Sequence, residues 1–544
     1  MSSALETRNP LPLGQSDFRA LRDEKCVYVD KTALMFDLCR GCRKVFVTRP
    51  RRFGKSLLVS TFEALFKYGL RDFHGLAIEK LWTDKTYAVV RLDFSLVRDF
   101  SEPGEFASNF HALLRNRFAT AGFQYDARKK RHPLMGQLSA WFGTLHEKSL
   151  VLLIDEYDAP LTASIGNRAL FDAACSAMRA FFQVLEANGR RLRFCFMTGI
   201  TRFREMSSIC ELRQFEDLSL DPALSTLLGF TGEEVEEYFG RYLREAAEVR
   251  NVGKDELLEK LREYYEGYSF DLSAAESDSR TRRGVFSPWP LLNFFLYPEQ
   301  GFEHYWCETG GQPAVLKRFL ADHDCGKPAQ FDAPHVLSMD QLGEAGISEE
   351  REVEALLFQA GYLTIRKVRS DGFAVLGYPN REVALYMADL YADELLEGRP
   401  IEGPADPLLS EIMATGNLDE VVRGFNQAVG AIDQDWHPID DEATCCTYLQ
   451  VLLMGAEKLP KVGNHSTPDS ICLEAEAGAR RWVFEIKFTR KSSDAQKRLE
   501  EAAMQISARR YSMAYSGKKI LRAALVFSGE ERRFAAWKSV VEEP

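Results

Sequence analysis

Short apolar runs alternate with amphipathic stretches through the first part of the chain. Val45-Phe46-Val47, Ala88–Phe94, Leu150–Ile154 and Phe194–Met197 are strand-sized and mostly apolar, as strands buried on both faces are. Between them, Leu57–Tyr68 and Ala169–Ala187 carry apolar residues at helical spacing. Crossovers of this length predict a parallel sheet with helices on both faces. Gly232–Leu243 and Lys254–Tyr265 predict two amphipathic helices. Glu352–Ala360, the run Gly361–Ile365, a turn at Asp371-Gly372, Phe373–Leu376 and a helix from Asn380 predict helix, hairpin and helix, the outline of a winged-helix unit. Glycine, proline and charge displace the apolar pattern at 272–284 and 398–407. The expected fold class is multidomain α/β: a parallel-sheet domain at 1–230, a helical and winged-helix-like middle at 231–405, and an α/β domain at 406–544.

The 544 residues, 45% of them hydrophobic, suffice for several cores. No apolar run approaches the roughly 18–20 residues that span a bilayer. The opening residues lack a basic segment followed by an apolar one, so a cytoplasmic protein without a membrane partner is expected. The eleven cysteines are scattered, and the Cys39-x-x-Cys42 pair has no second pair to complete a zinc site. A net charge of −11 argues against whole-surface DNA binding. From Glu442 onward, however, 17 Lys and Arg face 13 Asp and Glu, whereas the remainder has 52 against 67. A mildly basic terminal module on an acidic body fits a domain that faces nucleic acid.

The sharpest local signal is Arg49-Pro50-Arg51-Arg52-Phe53-Gly54-Lys55-Ser56, which follows one strand and opens a helix. A phosphate-binding loop needs backbone N–H groups at a helix N-terminus, a lysine for the β- and γ-phosphates and a hydroxyl for Mg²⁺. Gly54, Lys55 and Ser56 supply these, although Arg49 stands where the usual motif has glycine. The strand Leu150–Ile154 ends in Asp155-Glu156. Asp155 is placed to organise Mg²⁺ and Glu156 to polarise a water. Phe194–Met197 runs into Thr198-Gly199-Ile200-Thr201-Arg202; Thr198 is a candidate γ-phosphate reporter and Arg202 a candidate for developing charge, beside the plainer reading of a strand-to-loop transition.

Near the C-terminus, Pro468-Asp469 precedes the strand Ile471–Glu474, and a polar turn leads into Arg481–Phe488, a β-hairpin. Alternation puts Glu485 and Lys487 on one face, with Phe484, Ile486 and Phe488 on the other. Asp469 and Glu485 can hold Mg²⁺, and Lys487 can orient water or neutralise charge on the phosphorus centre. An edge strand with a solvated face and a surface ion pair fits the same residues.

The chain resembles bacterial AAA-ATPase-like proteins that carry a C-terminal PD-(D/E)XK nuclease domain. The resemblance rests on Leu11-Pro12-Leu13-Gly14 with Asp17-Phe18, on Tyr28-Val29-Asp30-Lys31-Thr32, on the 49–56 loop, on Thr198–Phe203, Leu228–Thr231 and Tyr265–Phe270, and on the terminal hairpin. It implies a P-loop ATPase core in which arginine at the first loop position is normal, followed by helical and winged-helix-like segments. It further implies ATP and Mg²⁺ as cofactors, with Mn²⁺ an option at the nuclease site, and a nucleic-acid partner, DNA ahead of RNA. By the same resemblance Glu442 helps to bind metal and Gln505 supports the site. Defence or DNA processing is the implied setting; self-association stays open, as does the role of Asp30-Lys31-Thr32. The competing expectation is a nucleotide-dependent switch or scaffold whose terminal domain binds without cutting.

Overall fold

The computed structural model describes residues 8–41, 44–128, 133–203, 214–272, 284–310, 328, 331–343, 350–399, 408–456, 462–467, 470–508 and 519–540. Two compact units emerge, Met1–Gly311 with Pro334–Glu382 and Gln312–Ala333 with Val383–Pro544.

In the first unit, β1 (Lys44–Thr48), β2 (Ala88–Asp93), β3 (Leu150–Asp155), β4 (Leu192–Gly199) and β5 (Glu216–Asp217) form a parallel sheet in the order β2-β3-β4-β1-β5. Because side chains alternate along a strand, each apolar run feeds two cores. Phe46, Leu152, Ile154 and Met197 pack with the helices Pro103–Ala119, Leu134–Thr144 and Arg168–Ala187. Val45, Val47, Leu153 and Phe196 pack on the opposite face with helix Lys55–Tyr68. The sheet with helices on both faces is the one expected from the apolar pattern. Its strand order sets β4 between the loop-bearing β1 and the acid-bearing β3.

A third core joins the helices Gly232–Arg250, Lys254–Tyr265 and Pro288–Leu296. The first of these opens on a capping box, Thr231 with Glu234. Lys31 Nζ grips both carboxylate oxygens of that Glu234, at 2.5 and 2.6 Å. Asp30 accepts from the N–H and hydroxyl of Thr32 and from the N–H of Ala77. Asp30-Lys31-Thr32 thus ties together backbone and helix ends. The strands β6 (His335–Ser338), β7 (Thr364–Val368) and β8 (Phe373–Gly377) make an antiparallel sheet in the order β6-β8-β7, with helix Glu350–Ala360 ahead of the β7–β8 hairpin.

In the second unit, β9 (Val462–Thr467), β10 (Ser470–Ala477), β11 (Arg480–Thr489), β12 (Lys519–Ser528) and β13 (Arg533–Val540) form a mixed sheet in sequential order. β10 and β11 are the antiparallel hairpin, whereas β11 and β12 run parallel. Helix Ala495–Ala508 follows β11 and packs on β11 and β12. On helix Leu418–Gly430, Phe425 meets Phe484 edge-on at 5.2 Å, and Trp482 stacks on Phe484. Among the described residues no helix is long and apolar enough to cross a membrane.

Candidate active sites

Beyond Thr48 the chain curls through 49–54 into helix Lys55–Tyr68. Arg52 (φ 64°) and Gly54 (φ 93°) both lie in the left-handed region, which glycine adopts without cost. Lys55 folds back over this curl, donating to the carbonyls of Arg49 at 3.0 Å and Pro50 at 2.8 Å. Trp306 Nε1 donates to the next carbonyl, Arg51, at 3.0 Å, and the Arg52 guanidinium lies 4.2 Å from the Trp289 ring. Phe53 is buried edge-on against Tyr268 and Phe270.

The side chain of Arg49 leaves the loop altogether. Its guanidinium, 1% exposed, donates to the carbonyls of Thr48, Ser219 and Leu224 and lies 4.0 Å from the Phe270 ring. Burial without a contacting carboxylate pushes its pKa down to about 9. The arginine that fills the place of the motif's first glycine is a pin between β1 and the segment after β5.

Helix Lys55–Tyr68 packs on β3, so the helix opening and the end of β3 meet although they lie far apart in sequence. Burial raises the pKa of Asp155; the polar Ser56 hydroxyl opposes the shift, Asp93 adds to it, and Arg91, whose Nη2 is 3.6 Å away, lowers it. Glu156, at φ 46°, is also raised, chiefly by burial and against the pull of Lys55. The Lys55 ammonium in turn is pushed down to about 8 by burial, opposed by Glu156, Asp158 and Asp155. A helix N-terminus, a lysine and a hydroxyl therefore face carboxylates held in unfavourable proximity. That donor set fits a phosphate with a divalent ion, because a cation would relieve the repulsion among Asp93, Asp155 and Glu156.

At the end of β4 the polar groups are taken up by the fold. The Thr198 hydroxyl is fully buried and donates to the Val47 carbonyl at 2.7 Å, which fastens β4 to β1. Arg202 Nη1 pairs with Asp217 Oδ2 at 2.5 Å, and its backbone N–H donates to Gln359 Oε1 at 2.8 Å. Asp158, three residues past Asp155 in the turn after β3, accepts from the N–H groups of Ile200 and Thr201, the latter at 2.7 Å. Asp158 and Asp93 escaped the sequence reading. Asp93 carried a usable signal, since it also ends an apolar strand, and it stands in register with Asp155.

In the second unit, Glu485 is fully buried on β11 and Lys487 nearly so, their Oε1 and Nζ 3.8 Å apart. Asp441 caps helix Glu442–Met454 by accepting from Thr444, and the adjacent Glu442 turns to the strand. Glu442 Oε1 accepts from the Phe488 N–H at 3.2 Å, and Oε2 lies 3.9 Å from Lys487 Nζ. Glu442, from a separate helix, thus converges with Glu485 and Lys487 of β11. Gln505 is half-buried on the helix that packs on β11 and β12. Asp469 lies outside the described residues, as do Cys42 and most of the two polar breaks. Among the described residues no three acidic, histidine or cysteine side chains form a ready metal cage, so Glu442 and Glu485 supply two carboxylates and a third donor would have to come from elsewhere.

Comparison with known proteins follows the same two segments. The chain is 28% identical over 443 residues to a protein of Azotobacter chroococcum mcd 1 described as an uncharacterized protein in the vnfD 5' region, the match covering 79% of each chain. No solved structure matches. Residues 12–209 match the family described as predicted AAA-ATPase, and residues 470–537 match the PD-(D/E)XK nuclease superfamily, so the chain carries an AAA-ATPase-like domain and a PD-(D/E)XK nuclease-like domain.

Proposed function

We propose that the chain binds and hydrolyses ATP at the 49–56 loop and couples the nucleotide state to metal-dependent cleavage of a nucleic acid by its terminal domain. The observation that carries the reading is the packing of helix Lys55–Tyr68, which opens directly after the 49–54 curl, on β3, whose end carries Asp155 and Glu156. Lys55 would leave the carbonyls of Arg49 and Pro50 for the β- and γ-phosphates, while Ser56 and Asp155 would hold Mg²⁺. Glu156, whose raised pKa makes it a better base, would draw a proton from the attacking water. Mg²⁺, when bound, supplies charge neutralisation on the phosphate oxygens.

In the terminal domain, Glu485, Asp469 and Glu442 would hold the metal for phosphodiester cleavage. Lys487 would donate to the water or to the charged phosphoryl oxygens, and Gln505 would support the site. The families matched support nucleic acid as the partner, and we favour DNA over RNA. The test is incubation of the purified protein with plasmid DNA in Mg²⁺ or Mn²⁺. Nicking that Glu485→Ala abolishes is the expected result; cutting by that variant at the wild-type rate would overturn the assignment.

A second reading is a nucleotide switch that binds without cutting. It is favoured by the ties of the helical and hairpin segments to the loop and to the end of β4: Trp306 on Arg51, Gln359 on Arg202, and Gly361 packed so tightly on Pro50 that a Cβ there would come within 2.7 Å of it. ATP hydrolysis without cleavage of any nucleic acid in either metal would select it.

A further inference from the structure

Resting on the nucleic-acid reading of the terminal domain, we propose that Trp436 is a stacking platform for an unpaired base of the substrate strand, next to the cleavage site. Its indole is 80% exposed, the most open large hydrophobic side chain among the described residues. The loop that carries it is nevertheless firmly built. Asp433 accepts from the N–H groups of Asp435, Trp436 and His437, at 3.0, 3.2 and 2.8 Å. Gln434 Nε2 donates to the carbonyls of Val429 and Arg532, and Arg532 Nη2 donates to Asp435 at 2.8 Å. Ile432 and Ile439 anchor both ends in the core. A loop held by so many bonds has few conformations in which to hide its indole, so the aromatic face is presented ready-made.

Position supplies the second argument. The loop leads directly into Glu442, and Arg532 belongs to the turn between β12 and β13. That turn caps the end of the sheet where β11 finishes, because Gly529 N–H donates to the Thr489 carbonyl at 2.9 Å. Lys487 is two residues before Thr489, and Glu442 bonds Phe488. Trp436 and the converging acids thus occupy one end of one sheet.

Charge selects the occupant. Arg490 and Lys491 are exposed at that end, where they can meet backbone phosphates. Of the nearby acids, Glu530 accepts from the Ser492 N–H, Glu531 pairs with Arg533 and Asp435 with Arg532. Trp436 is flanked by Asp433, Gln434, Asp435 and His437 rather than by an apolar patch, so it fits a single flat ring better than a protein surface. An aromatic face beside cations is how single strands are held without sequence preference.

The test is anisotropy titration of a fluorescein-labelled single-stranded thymidine 20-mer with the full-length protein in Ca²⁺, comparing wild type, Trp436→Ala and Trp436→Phe. The alanine variant should bind about tenfold more weakly, the phenylalanine variant within about threefold of wild type, with melting temperatures unchanged. Equal affinity of all three would overturn the platform while leaving the nucleic-acid reading intact. Failure of the wild type itself to bind the strand would overturn both.

Discussion

Gly199 and Asp158 are packed so closely that the glycine has no room for a side chain: a Cβ there would overlap Asp158 Oδ1 and lie 2.8 Å from the Tyr157 ring. Asp158 follows the acid-ended β3, whereas Gly199 ends β4. Gly199→Ala must therefore push Asp158 off the N–H groups of Ile200 and Thr201, leaving a buried carboxylate under-bonded. We expect a loss of about 2–4 kcal/mol, read as a lower melting temperature, with ATP turnover falling more than nucleotide affinity. Unchanged turnover would separate this contact from the chemistry.

Lys55 sets a pH limit. An ammonium with a pKa near 8 in the free protein loses its charge a little above neutrality, whereas an unperturbed lysine keeps it past pH 10. The unfolded chain then holds the proton that the folded chain has released, so this group adds to stability between about pH 8 and 10.5 while nucleotide attraction declines. Affinity for an ATP analogue, measured by calorimetry, should weaken up to about tenfold per pH unit above about 8. In Lys55→Arg the inflection should vanish.

Arg49 is predicted to matter for stability rather than for phosphate contact. Arg49→Met removes the donors that satisfy the carbonyls of Ser219 and Leu224. The cost should be about 2–4 kcal/mol in chemical denaturation. Nucleotide affinity of the folded fraction, measured well below the midpoint, should stay within about threefold of wild type.

At the terminal site Glu442 and Glu485 flank the same ammonium at nearly equal distances, but only Glu485 is fully enclosed. Glu485→Gln should abolish cleavage. Glu442→Gln should slow it about tenfold to a hundredfold and raise the metal concentration needed for half-maximal rate, because it keeps an oxygen that can accept from Phe488. Equal, small effects of the two substitutions would argue for a surface ion pair.

Much of the architecture was legible because strands and helices carry their periodicity locally. Val45–Val47 and Leu150–Ile154 alternate between two cores, and both lie in strands of the expected sheet. Helix Lys55–Tyr68 begins two residues earlier than the apolar spacing implied, because Lys55 and Ser56, polar for chemical reasons, form its first turn. What stayed hidden was direction. Nothing near Arg49 announces that its acceptors lie about 170 residues onward, and nothing near Thr198 announces that its hydroxyl is spent on Val47. Asp93 becomes part of the first site only through the register of β2 with β3.

The carbonyls of Arg49, Pro50 and Arg51 are all engaged, two by Lys55 and one by Trp306. The curl is consequently held by bonds within the fold. Under the proposed reading a triphosphate would compete for one ammonium rather than organise a wandering chain, so the entropy of ordering is already spent at folding.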